Sequence, residues 1–147
     1  MQTVIIKNVP ELEAFAHEFA SSLRGGEVIG LVGDLGAGKT TFVQMLAAAL
    51  GVESAVKSPT FILMQVLPTA RRTGAHRLCH VDAYRLKDWE ELAAIGFEEY
   101  AGEARTVTLV EWADRVPEIH KFPAYQELTF AFGPGEGRTL RLEGGQP

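Results

Sequence analysis

The chain is short of sulfur and of basic charge. Cys79 is its only cysteine in 147 residues, so neither an intramolecular disulfide nor a cysteine-built metal cluster can form, and a reducing compartment suits it. Fourteen Lys and Arg stand against nineteen Asp and Glu, a formal charge of -5. Holding nucleic acid by the chain's own field needs clustered basic side chains, and that function class is set aside unless a partner supplies them. No apolar run approaches the ~18 residues of a membrane span, and no basic segment leads into an apolar one at the N-terminus. The expectation is a soluble, cytoplasmic protein with no membrane contact. Internal repeats and linkers are lacking too, and 46% apolar composition suffices for one core, which predicts a single domain over 1–147.

What is present centres on Gly33-Asp34-Leu35-Gly36-Ala37-Gly38-Lys39-Thr40. The string fits G-x-x-x-x-G-K-[ST], the loop whose backbone cradles phosphates. Val28 to Val32 before it reads as a buried parallel strand, and Thr41 to Leu50 after it reads as a helix. Strand, loop and helix together aim backbone N–H groups and the positive end of a helix dipole at one point, which favours an anion. Gly36 and Gly38 can take dihedrals that a Cβ would penalise, Lys39 can reach β/γ oxygens, and the Thr40 hydroxyl can serve magnesium. Asp34, Leu35, Gly36, Ala37, Gly38, Lys39, Thr40 and Thr41 are the predicted nucleotide-binding residues. Asn8 is the sole asparagine and lies upstream of the loop, so an Asn-Lys-x-Asp guanine reader cannot be built, and ATP is the expected nucleotide.

Around this unit the pattern predicts an α/β fold, a three-layer arrangement like that of P-loop NTPases, with a mixed, mainly parallel sheet and added hairpins. Thr3 to Ile6 is strand-like. A helix begins near Pro10, with Leu12, Phe15, Ala16, Phe19 and Leu23 forming its buried stripe, and Gly25-Gly26 ends it. Phe61 to Leu67 and Arg77 to Val81, separated by the turn Pro68 to Gly74, predict one hairpin; Leu128 to Phe132 and Thr139 to Leu142 predict a terminal one. Asp88 opens a short helix that Gly96 interrupts. Six carboxylates and no base lie between Asp88 and Glu103, which reads as a solvated face, with docking of a basic partner the alternative.

Phosphoryl chemistry needs a carboxylate near the loop to hold magnesium or order a water. Asp82 and Glu111 each follow an apolar run and fall at predicted carboxyl ends of strands, where ligands of open α/β sheets collect. Thr60, in Ser58-Pro59-Thr60, is a hydroxyl on a constrained loop that could sense the γ-phosphate. Trp112 could shield the site, with packing the plainer role. His80 reads as a half-buried strand residue and Cys79 as a packed core thiol, neither assigned to catalysis. Arg85 and Arg115 read as surface ion pairs.

Four blocks then carry a resemblance: Gly33 to Phe42, Ser58-Pro59-Thr60-Phe61, His80-Val81-Asp82-Ala83-Tyr84-Arg85-Leu86, and Leu109-Val110-Glu111-Trp112-Ala113-Asp114-Arg115. In this order they closely resemble the TsaE (YjeE) family of bacterial ATPases. The resemblance implies an ATPase needed to make threonylcarbamoyladenosine beside the tRNA anticodon, using ATP and Mg2+ and acting on a TsaB–TsaD complex, with tRNA reached only through those partners. It implies catalytic roles for Lys39, Asp82 and Glu111, metal binding at Thr40 and Glu111 with the direct carboxylate ligand left open, a switch-like loop at Thr60, and Trp112 flanking the site. A small-molecule kinase and a nucleotide-gated binding module with incidental hydrolysis are the competing classes. So small a chain must deliver useful work through a partner, and slow turnover alone is expected.

Overall fold

The computed structural model describes residues 2–34, 36–53, 63–70, 75–135 and 137–144. The glycine-bounded apolar run becomes β2 (Val28–Gly33), which lies between β5 (Thr106–Glu111) and β6 (Tyr125–Phe132) and is parallel to both. On the far side of β5 lies β4 (Arg77–Asp82), again parallel. Antiparallel strands finish both sides: β3 (Met64–Pro68) on β4, and β7 (Arg138–Gly144) on β6 followed by β1 (Gln2–Ile6). The order is β1-β7-β6-β2-β5-β4-β3. Four parallel central strands, with β3 forming a hairpin on β4 and β7 a hairpin on β6, are the mixed sheet that the sequence predicts.

The C-terminal hairpin differs in placement. β6 starts at Tyr125, earlier than the apolar run from Leu128, and is an interior strand beside β2 rather than an appendage. Gln126 and Glu127 at its start are polar, so the local pattern hides them; pairing with β2 and β7 makes them strand.

Strand alternation sends side chains to two separate cores. Ile29, Leu31, Leu78, Leu109 and Phe130 meet α1 (Val9–Ser22) and α2 (Lys39–Ala49) on one face. Val28, Cys79, Val81 and Val110 meet α3 (Trp89–Ala94), α4 (Phe97–Tyr100) and the 3-10 turns Ala113–Arg115 and Pro117–Lys121 on the other. Helices, sheet and helices are the three layers. Asn8 begins α1, its side-chain oxygen accepting from Glu11 N at 3.0 Å, an N-cap, while the Glu11 carboxylate accepts from Lys7 N at 2.6 Å. Asp88 caps α3 in the same way through Glu91 N at 3.0 Å.

Within the acidic stretch, Glu98 meets Lys121 at 3.2 Å and Glu103 meets Arg77 at 3.0 Å. That suits a solvated face with local partners. Among the described residues no helix is long and apolar enough to cross a membrane.

Phe42 fixes how the loop's helix sits. Fully buried on α2, its ring lies 5.9 Å from those of Phe15 and Phe19 on α1 and 5.7 Å from that of Phe130 on β6. We predict that Phe42→Ala lowers unfolding stability by about 3–5 kcal/mol in chemical denaturation; a loss below about 1 kcal/mol would show that this cluster does not hold the layer together.

Cys79 supplies a second check, since burial pushes its thiol up to about 12. The unfolded chain releases this proton from about pH 8.5 upward while the folded chain keeps it, so stability falls as pH rises through that window. Thiolate-directed reagents at pH 8 are predicted to label Cys79 only on unfolding. Labelling at the rate of a free thiol would contradict its enclosure.

Candidate nucleotide-binding site

Where β2 ends, the chain must turn sharply into α2. Gly33 has φ 147° and Gly38 φ 105°, values that favour glycine. A Cβ on Gly33 would also stand 2.5 Å from the carbonyl oxygen of Phe130. Gly38 is the N-cap of α2 and, lacking a side chain, makes no cap hydrogen bond. The first N–H groups of a helix have no intrahelical partner, so an anion set against this helix start would meet both donors and the helix dipole.

Lys39, the first residue of α2, is 5% exposed. Its Nζ donates to the carbonyl oxygens of Gly33 and, at 3.0 Å, Asp34. The same ammonium lies 3.9 Å from the centroid of the Trp112 ring, a cation–π contact. Burial lowers the Lys39 pKa below its usual value, and the nearby charges of Glu111, Asp114, Asp34 and Asp82 act against that shift.

The next residue binds the neighbouring strand. Thr40 Oγ1 donates to Glu111 Oε1 at 2.7 Å. Glu111, the last residue of β5, is 2% exposed. Its other oxygen lies 2.6 Å from His80 Nε2. Asp82 ends β4 directly opposite Glu111 in the parallel register. Burial raises the Asp82 pKa above the ordinary carboxylate value, with the Glu111 charge adding to the shift and the Tyr84 N–H, donating to Oδ1 at 3.0 Å, opposing it.

Trp112 follows Glu111 with φ 58°, the only left-handed non-glycine residue among those described. An indole held in that region stores backbone strain, which persists only where surroundings enforce it. Here its ring rests 4.9 Å from that of Tyr84 and over Lys39. Trp112 thus walls a cleft of about 420 Å3 with Gly36, Gly38, Lys39, Thr40, Thr41 and Glu111. A second cleft, about 470 Å3, shares Gly36, Gly38 and Thr41 and extends to Ile6, Val9, Leu12 and Arg138.

The structure brings Lys39, Thr40, Asp82, Glu111 and Trp112 to one end of the parallel strands. Leu35 and Thr60, both assigned from the sequence, lie outside the described residues. His80 is not half-buried as expected: it is 1% exposed and bonded to Glu111. Its spacing held the signal, because residues two apart on a strand share a face and His80 therefore shares that of Asp82. Arg115 lies 5.0 Å from the centroid of the Tyr84 ring, a stacked cation where an ion pair was expected. Asp114, Tyr84 and the second cleft were not singled out from the sequence. They depend on contacts across elements.

Chemically, the Thr40 hydroxyl and the Glu111 and Asp82 carboxylates are hard oxygens of the kind magnesium takes. Among the described residues no three His, Cys, Asp or Glu side chains are grouped to hold a metal ion by themselves.

The family model "Threonylcarbamoyl adenosine biosynthesis protein TsaE" matches residues 6–139. The tRNA threonylcarbamoyladenosine biosynthesis protein TsaE of Aquifex aeolicus is 41% identical over 117 residues, spanning 78% of this chain and 79% of that protein. The protein of the same name from Bacillus subtilis is 40% identical over 111 residues, spanning 76% of this chain and 66% of that one. In three dimensions the chain is similar to the crystal structure of Bacillus subtilis YdiB, with a TM-score of 0.71 and 27% identity across 99% of this chain and 86% of that one. The chain belongs to the TsaE family of threonylcarbamoyladenosine biosynthesis proteins.

Proposed function

We propose that this protein binds ATP with Mg2+ and hydrolyses it, slowly when alone, in order to support threonylcarbamoylation of the adenosine beside the tRNA anticodon. It does so in the cytoplasm by acting on a TsaB–TsaD complex. The observation that carries the reading is the 2.7 Å bond from Thr40 to Glu111 at the mouth of the glycine loop, which joins the phosphate cradle to an acid on the neighbouring strand.

Each residue has a part. The open N–H groups at the start of α2 receive phosphate oxygens, and Lys39 exchanges its carbonyl partners for the β/γ-phosphates. Thr40 and Glu111 are the residues that would hold magnesium. A bound ion supplies charge neutralisation at the phosphates. Asp82, half-buried and with raised proton affinity, orients the attacking water from the solvent side and takes up its proton. Trp112 limits the access of bulk water. The cleft toward Ile6, Val9, Leu12 and Arg138 offers apolar surface for the base.

Partner dependence follows from charge and size. A chain of charge -5 has little hold on tRNA by itself, so contact with the RNA runs through TsaB and TsaD. Hydrolysis changes the charge held at the loop, and that change is what a docked partner reads.

Lys39→Ala is predicted to lower ATP hydrolysis at least ~100-fold while its thermal melt stays that of a folded protein. Unchanged hydrolysis in that variant contradicts the site. Glu111→Ala and Asp82→Ala are predicted to keep nucleotide binding yet lose turnover, measured by equilibrium titration beside phosphate release; normal turnover in both removes their assigned roles. With γ-labelled ATP, label is expected as free inorganic phosphate. Its appearance on a metabolite would replace hydrolysis by kinase chemistry.

A further inference from the structure

His80 has no part in the chemistry above, yet it is one of the few polar side chains buried in the sheet. On β4 it pairs in register with Leu109 of β5, which makes Glu111 its diagonal neighbour on the same face. The two side chains close that diagonal at 2.6 Å. An ionised carboxylate only accepts, so the ring nitrogen Nε2–H is the donor.

We infer that His80 is a positioning residue, holding the Glu111 carboxylate in the one orientation that presents Oε1 to the Thr40 hydroxyl. The terminal torsion of a glutamate is broad, and by itself it does not select which oxygen faces a neighbour. His80 removes that freedom, because its enclosed ring occupies Oε2 from a strand whose register is fixed. A second consequence concerns Lys39. Glu111 is the strongest of the negative charges acting on that ammonium, yet the hydrogen bonds of Lys39 go to the carbonyls of Gly33 and Asp34. With one oxygen held by Thr40 and the other by His80, Glu111 does not capture Lys39, which stays available to an incoming phosphate. Outer partners that orient a site's acids in this way commonly matter ten- to a hundredfold.

The inference rests on the reading of Thr40 and Glu111 as the magnesium side of an ATP site, and its test separates the two. In the ligand-free chain, the methyl resonance of Thr40 followed by NMR reports contact with Glu111. His80→Leu is expected to move that resonance, as does Glu111→Gln. His80→Gln, whose amide N–H2 reaches the place of Nε2, is expected to leave it near the wild-type position. With ATP and Mg2+, His80→Leu is expected to lower kcat about ten- to hundredfold while ATP affinity in EDTA stays within about twofold, and His80→Gln to recover most of the rate. Should His80→Leu fail to fold, His80→Met, which also lacks a donor and is close to histidine in volume, takes its place with the same expectations. A Thr40 resonance unmoved by loss of His80, or a His80→Gln protein as slow as His80→Leu, overturns the positioning role. If the wild-type chain hydrolyses no ATP, the ATPase reading fails, and the Thr40 resonance still decides whether His80 orients Glu111.

Discussion

The structure depends on one enclosed carboxylate. Glu111 is the last residue of a strand buried along its whole length, and taking an acid out of water is strongly unfavourable unless hydrogen bonds replace the lost solvent. Two side chains from two other elements do so, one for each oxygen: Thr40 from α2 and His80 from β4. The need to satisfy Glu111 therefore locks the start of the loop's helix to the centre of the sheet. A fold without that acid could place α2 by apolar packing alone. With it, the position of Thr40 is set to hydrogen-bond accuracy.

Packing prepares that placement from behind. Phe42, one turn into α2, binds the helix to α1 and β6 through an aromatic cluster, while the glycine-lined turn between β2 and α2 lets the backbone approach a ligand. The site lies at the carboxyl ends of β2, β4 and β5; after β2 the chain runs outward to β3, and after β5 it crosses back to β6 on the other side of β2. Such a crevice is where open parallel sheets bind ligands. Lys39, Trp112 and Tyr84 complete it with a strained but well-supported stack.

How much of this is legible in the residues alone depends on the range of the interaction. The loop is local: its glycines, lysine and threonine are adjacent in sequence, and their types state their use. Asp82 and Glu111 are legible as strand ends, since a run of apolar residues closing on an acid is also local. Register is not. That His80 reaches Glu111, that β6 takes in Tyr125 to Glu127 and pairs with β2, and that Arg115 stacks on Tyr84 all follow from which strands become neighbours. No short window contains that information. Trp112 is an intermediate case, visible as an aromatic beside an acid while its left-handed backbone appears only in three dimensions. Asn8 shows the opposite lesson: its scarcity argued against a guanine reader, and its structural role is the cap of α1.

Membership of the TsaE family joins this geometry to threonylcarbamoyladenosine biosynthesis, and the proposed role is to spend ATP so that a TsaB–TsaD complex turns over repeatedly. Reconstituting tRNA threonylcarbamoylation with limiting TsaB–TsaD, with and without this chain, measures that role most directly. With the chain and ATP, modified tRNA should accumulate well beyond one equivalent of the complex, and without it synthesis should stop near one equivalent. Equal multi-round synthesis in its absence would contradict the proposed function.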